Sequence, residues 1–287
     1  MPASTATTDR NAVNQRMVLP DIARLCVRMA IGIVAVWLPR TPGLRYDRRM
    51  GPLPTDAAVL AEQVAYYRKR AGEYDEWWLR TGRYDHGEAL NAAWHDDAHA
   101  VEQALVAWLD GHRPARGLEL ACGTGLFTRW LAPRVGELVA IDASPEVQAI
   151  NRDRVRADNV RYEVADLFAW EPTERFDLVF MSFWLSHVPD DRFDAFWGKL
   201  RSALAPGGSA YVIDSGWDTT STAKNHVRPD REAGVAERKL NDGSRYRIVK
   251  IFHEPGALAL RLRTLGFASH VVHTPRYFIH GPVEVLA

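Results

Sequence analysis

Cysteine is scarce in this chain: Cys26 and Cys122 are the two in 287 residues, with no spacing that suits a metal knuckle or a disulfide framework. A reducing, cytoplasmic compartment follows as the expectation. Charge of one sign is lacking too, since 36 Lys and Arg balance 36 Asp and Glu. Such a chain has no global field to draw it to nucleic acid or an anionic membrane, so a charged ligand must be caught by a local group. The apolar run Met29–Leu38 stops at ten residues, well short of the roughly 20 that cross a bilayer, and no stable membrane association is expected. His270, His273 and His280 lie on alternating faces without ligand-like grouping, so no metal is expected. Oligomeric state is not legible at this level.

What is present is centred on Leu118-Glu119-Leu120-Ala121-Cys122-Gly123-Thr124-Gly125. Short apolar residues lead into Gly123 and Gly125, and Leu126, Phe127, Trp130 and Leu131 follow with helical spacing, which predicts strand, tight turn and helix. Glycines admit a ligand close to the backbone, and the helix N-terminus behind them offers unpaired N–H groups. A nicotinamide fingerprint needs a third glycine at position 128, where this chain has Thr128. A dehydrogenase is therefore the least favoured reading.

Further strands follow in order. Leu138–Ile141 ends in Asp142, seventeen residues past Gly125, where a carboxylate can accept hydrogen bonds from vicinal ribose hydroxyls; Ala143 and Ser144-Pro145 then open a helix. Val160–Val164 leads to Ala165-Asp166-Leu167-Phe168, where a carboxylate and a backbone N–H suit an adenine edge. Phe176–Met181 is almost continuously apolar, as a buried parallel strand is, and leads into Ser182-Phe183-Trp184. Pro206-Gly207-Gly208 stops the next helix, and Ala210–Ile213 is strand five, ending in Asp214.

Together, Glu119, Ala121, Gly123 and Gly125, then Asp142, Asp166, the end of the fourth strand and Pro206-Gly207-Gly208 resemble class I S-adenosylmethionine (SAM) methyltransferases from about Ala57 onward. Ala121 stands where that family usually has its first glycine. The resemblance implies an α/β fold, a Rossmann-like seven-stranded sheet with an antiparallel last strand. It also implies SAM as cofactor, bound by Glu119, Ala121, Gly123, Gly125, Asp142, Ala143, Asp166, Leu167, Met181 and Phe183. Residues 58–112 read as a helical lid and 113–287 as the SAM-binding domain, with an insertion at 216–253 that lines the acceptor pocket. Residues 1–57 read as an extension, disordered or loosely docked; an interfacial anchor and a translation start near Met50 are further readings.

In open α/β sheets ligands lie beyond the carboxyl ends of the strands, which brings Ser182–Pro189 to the acceptor. His187 there is a candidate general base, or a group that orients the acceptor. In the insertion, Asp242-Gly243 signals a hairpin, and Lys250 shares a face with Tyr246 and Ile248, so it needs an anionic partner. Arg238 on the opposing arm suits the same anion. Tyr74-Asp75 in the lid, Trp184–Pro189, Arg238 and Arg247–Lys250 resemble a bacterial small-molecule group that includes phosphonate O-methyltransferases. That likeness implies O-methylation of a small anion, of phosphonate or carboxylate type, with His187, Tyr74, Arg238 and Lys250 at the acceptor. Methylation of a neutral phenol, quinone precursor or amine is the alternative enzyme reading. A SAM-binding regulatory module without turnover is the alternative of another class.

Overall fold

The computed structural model describes residues 55–227 and 234–286, all within one compact unit, Met50–Ala287. The expectations for residues 1–54 and for Cys26 lie outside the described residues. Three helices come first: α1 (Ala57–Arg70), α2 (Asp75–Leu79) and α3 (Glu88–His112). Asp56 caps α1 by accepting from the Ala58 N–H at 2.9 Å. The chain leaves α2 through Arg80, in the left-handed region at φ 57°.

The sheet and its covering helices follow: β1 (Arg116–Leu120), α4 (Thr128–Leu131), β2 (Glu137–Asp142), α5 (Pro145–Val155), β3 (Val160–Val164), β4 (Phe176–Ser182), α6 (Phe193–Ala203) and β5 (Leu204–Ser215). Beyond them lie β6 (Val235–Lys239), β7 (Arg245–Val249), α7 (Pro255–Thr264), β8 (Phe267–Ser269), β9 (Val272–His273) and β10 (Phe278–Val285). The main sheet runs β3-β2-β1-β4-β5-β10-β8, with β9 also on β10. Pairs from β3 to β5 are parallel and β10 is antiparallel. The direction in which successive strands are added reverses between β1 and β4 in the order 3-2-1-4-5, the switch point at which open α/β sheets bind ligands.

The expected seven strands become eight because the sixth is split. His270 donates to the Pro282 carbonyl at 2.9 Å, but Pro282 has no N–H to return, and the ladder breaks between β8 and β9. Gly281 allows the close approach there: a Cβ on it would stand 2.4 Å from the His270 oxygen. Strand five also starts earlier than the sequence suggests. Leu204 is already extended, and Pro206-Gly207-Gly208 forms a bulge inside β5 rather than ending α6.

Two apolar layers bury the sheet. On one face Trp197, Phe193, Leu200 and Leu262 pack on Val179 and Val212; on the other, Trp94, Trp78, Leu105 and Phe127 pack on Phe180 and Tyr211. The β6–β7 hairpin forms its own two-stranded sheet, turning at Asp242-Gly243 and packing Ile248 and Leu240 on Tyr66 of α1.

Candidate functional site

Two cavities meet above the switch point. The larger, about 370 Å³, lies over the glycine turn and the ends of β2 and β4, with α1 as its outer wall. The smaller, about 70 Å³, lies between α1, the β6–β7 hairpin and the segment after β5. Tyr67, Tyr74, Phe183 and His187 line both.

The larger cavity is built from short-range turns. Ala121 and Gly123 carry positive φ (55° and 52°), which curls the backbone under the cavity. Asp142 accepts from the Gly123 N–H at 3.0 Å and the Ser144 N–H at 2.9 Å, which fixes its carboxylate and leaves lone pairs directed outward. Burial pushes its pKa up to about 6 against those backbone donors, so it is ionised at neutral pH. Asp166 uses one oxygen to cap the Phe168 N–H at 2.9 Å. Asp142, Ala143, Asp166 and Leu167 all reach the cavity wall, as do Ala121, Gly123 and Phe183. A polar rim of two carboxylates with apolar walls suits a nucleoside ligand.

Three residues expected beside the cofactor do not line it. Glu119 is 1% exposed and points into the fold, taking a hydrogen bond from the Thr128 hydroxyl at 2.7 Å. Burial lifts its pKa to about 8, so it stays protonated at neutral pH and shapes the turn from beneath. Gly125 supports the turn by contact: a Cβ there would meet the Asn151 side chain at 2.7 Å, and φ is 86°. Met181 is fully buried in the core between the sheet and α6.

The smaller cavity is cationic. Lys250 is buried; its Nζ donates to Ser186 Oγ at 2.8 Å and Ser215 Oγ at 3.2 Å, with Asp214 Oδ1 at 3.7 Å. Asp214 in turn accepts the Ser186 and Ser215 backbone N–H groups at 2.8 and 2.6 Å. The anionic partner that Lys250 requires is thus in part within the chain. Burial, aided by Arg238 and opposed by Asp214, lowers the Lys250 pKa to about 8. Arg238, also buried, donates to the Glu237 carbonyl at 3.3 Å and has no carboxylate partner among the described residues. Arg245 and Arg247 lie outside, paired with Glu237 and Glu62.

His187 is held at both ring nitrogens. Nδ1 lies 2.6 Å from the Val249 carbonyl, which only accepts, so Nδ1 carries the proton; Nε2 then accepts from the Tyr67 hydroxyl at 2.7 Å. Burial pushes its pKa well below the ordinary value, and the neighbouring Lys250 adds to this. A base role for His187 has to run through Tyr67. Gln63 ties the same pieces together by accepting from the Val249 N–H at 3.0 Å and donating to the His187 carbonyl at 3.4 Å.

The sequence places Gln63 and Tyr67 on an apolar and aromatic stripe and Arg70 in the same lid helix without pointing to a site role for any of them, although Gln63, Tyr67, Arg70 and Tyr74 recur at spacings of three and four. Their polar ends face a cavity rather than a core, and periodicity alone does not tell these apart. Tyr84 and His226, which complete the wall, carried no sequence signal.

A doubly wound sheet with a glycine turn at its switch point and a carboxylate at the end of the second strand defines a nucleotide-cofactor enzyme fold. The methyltransferase domain family matches residues 118–208. The solved DhpI–SAH complex is 36% identical, with 81% of this chain and 99% of that one covered at a TM-score of 0.64; SAH is S-adenosylhomocysteine. The DhpI–SAM–HEP complex is 35% identical, with 80% and 100% covered and a TM-score of 0.65. Among curated relatives, trans-aconitate 2-methyltransferase of Variovorax paradoxus (strain S110) is 32% identical over 127 residues, 43% of this chain and 48% of that protein. Nodulation protein S of Rhizobium tropici is 34% identical over 150 residues, 48% of this chain and 61% of that protein. The matched segments thus span about half the length of these curated relatives. The chain belongs to the class I SAM-dependent methyltransferases, of small-molecule type, and SAM is its cofactor.

Proposed function

We propose that this enzyme transfers a methyl group to an oxygen of a small anionic acceptor, of phosphonate or carboxylate type, held in the smaller cavity. The observation that carries the reading is the buried Arg238, a guanidinium with no carboxylate partner among the described residues, beside Lys250 in a space of about 70 Å³. A buried cation without a partner is costly, and an anionic ligand relieves that cost. The likeness to DhpI, solved with SAH and with SAM and HEP together, supports a chain that holds the donor and a second small molecule at once.

SAM, when bound, supplies the methyl on a sulfonium centre. Asp142 would accept the ribose hydroxyls, Asp166 and the Leu167 backbone would meet the adenine, and α1 would exclude water from the larger cavity. Arg238 and Lys250 fix the anion. Tyr67, Tyr74, Phe183 and His187 form the wall where the acceptor oxygen and the methyl meet, so their contribution is orientation. Because the acceptor oxygen is already ionised, no proton has to be removed, and His187 serves by orienting Tyr67. The cationic wall gives a neutral phenol or amine no comparable partner.

The test is SAH release from SAM with a panel of small phosphonates, phosphates, carboxylates and phenols, comparing the parent with Lys250→Ala. Turnover of one anionic class, lost in the variant, is the expected result. Turnover of phenols alone, equal in both proteins, contradicts it.

A further inference from the structure

The smaller cavity holds more positive charge than its own carboxylates neutralise. Arg70, Arg238 and Lys250 all line it. Lys250 has Asp214 at 3.7 Å, whereas neither Arg70 nor Arg238 has an ion-pair partner among the described residues. The acidic residue on the wall itself, Asp218, is taken by Arg276 at 2.8 Å and by Thr220. The two wall histidines add no charge. His226 donates Nε2–H to the Lys239 carbonyl and accepts from Thr222, and burial pushes its pKa down to about 3; His187 is likewise held neutral. The phenols of Tyr66, Tyr67 and Tyr74 stay protonated, because burial raises each pKa.

Arg70 is buried, its Nη2 donates to the Tyr84 hydroxyl at 3.2 Å, and its Nε has no partner among the described residues. Its guanidinium carbon stands 4.7 Å from the Tyr74 ring centroid, and that ring lies on the wall shared with the larger cavity. The position is thus set by aromatic packing rather than by a carboxylate. Among the described residues, two positive charges remain without a counterion in a space that admits a small headgroup.

Resting on the anionic acceptor proposed above, we infer that Arg70 makes this cavity a reader of charge number. It takes a tetrahedral headgroup carrying two negative charges and discriminates against the same shape carrying one. In the transfer, an oxygen of the headgroup forms a bond to the methyl carbon while the carbon–sulfur bond breaks, and its electron pair stays on sulfur. The sulfonium becomes a neutral thioether, the doubly charged headgroup becomes a singly charged ester, and no proton moves. The product therefore matches the cation set less well than the substrate does. Release after a single methylation follows from the loss of one charge.

The experiment is calorimetric titration of the SAH-bound full chain with methylphosphonate and with methanesulfonate, which share a tetrahedral shape and differ in the charge available. The parent is expected to bind methylphosphonate at least about tenfold more tightly, given the strength of charge-assisted hydrogen bonds to buried cations. The preference should grow as pH rises through the second ionisation of the phosphonate, up to about pH 8, where Lys250 begins to lose its charge. Arg70→Met should reduce the ratio to about threefold or less with SAH affinity unchanged, and Arg70→Lys should restore part of it. Equal affinity for the two anions in the parent, or an unchanged ratio in Arg70→Met, overturns the inference. If Arg70→Met does not fold, the parent's ratio and its pH dependence decide alone. Binding of neither anion while SAH binds normally rejects the anionic acceptor itself, which separates that failure from failure of the charge-reading role.

Discussion

The two cavities differ in how they are built. The cofactor side comes from turns local in sequence: residues 121–125 wrap under it, and Asp142 is pinned by donors at 123 and 144. The smaller cavity gathers Arg70, His187, Ser215, Arg238 and Lys250 from segments far apart in the chain. Its cations are held by hydroxyls, carbonyls and ring faces more than by carboxylates. Local backbone geometry suits a cofactor that does not vary, whereas an assembly of remote side chains can change its specificity by single substitutions without disturbing the turn.

Substitutions that separate the two cavities sharpen this contrast. Asp142→Ala removes the acceptor of two hydroxyl donors and should weaken SAH binding by about 100-fold, from roughly 1.5–3 kcal/mol per charge-assisted bond, as read by calorimetry. Arg238→Met should lower kcat/KM for the acceptor by about 30-fold while SAH affinity changes less than about threefold. Gly125→Ala pushes a methyl onto Asn151 in a backbone region that L residues avoid. It should cost about 1–3 kcal/mol of stability, seen as a lower Tm, and reduce SAH affinity with it.

Proton titration distinguishes the cavities as well. Lys250 carries its charge below its pKa, and burial has brought that pKa down to about 8. Acceptor kcat/KM should therefore fall as pH rises through about 8, with SAH affinity unaffected in that range, and Lys250→Arg should move the fall to higher pH. The smallest effect is expected at Glu119. Replacing a carboxyl already protonated at neutral pH by its amide, Glu119→Gln, should change SAH affinity by less than about threefold.

The same contrast explains what was legible in the sequence. Glycine spacing, Asp142 and the strand order are set by backbone rules that act over a few residues, so the fold class was legible in them and the cofactor through the family they resemble. Glu119 was legible as part of the motif but not in its orientation, because whether a strand side chain meets a ligand or a neighbouring helix depends on Thr128 packing above it. The burial of Lys250 was legible through strand alternation in the hairpin, and Arg238 through its place on the opposing arm. Arg70 was not, because its place on the stripe of Gln63, Tyr67 and Tyr74 does not tell a cavity wall from a core, whereas Arg68 and Lys69 pair outside with Glu146 and Asp242. The split sixth strand was hidden for a similar reason, since Pro282 interrupts the ladder of its partner rather than its own.

The most direct test of the account measures two quantities on Arg238→Met beside the parent: the dissociation constant for SAH and kcat/KM for the best anionic acceptor. The account predicts a retained dissociation constant with kcat/KM reduced about 30-fold. Parallel loss of both would show that the two cavities are not separate functional units, and retention of both would remove the anion from the smaller one.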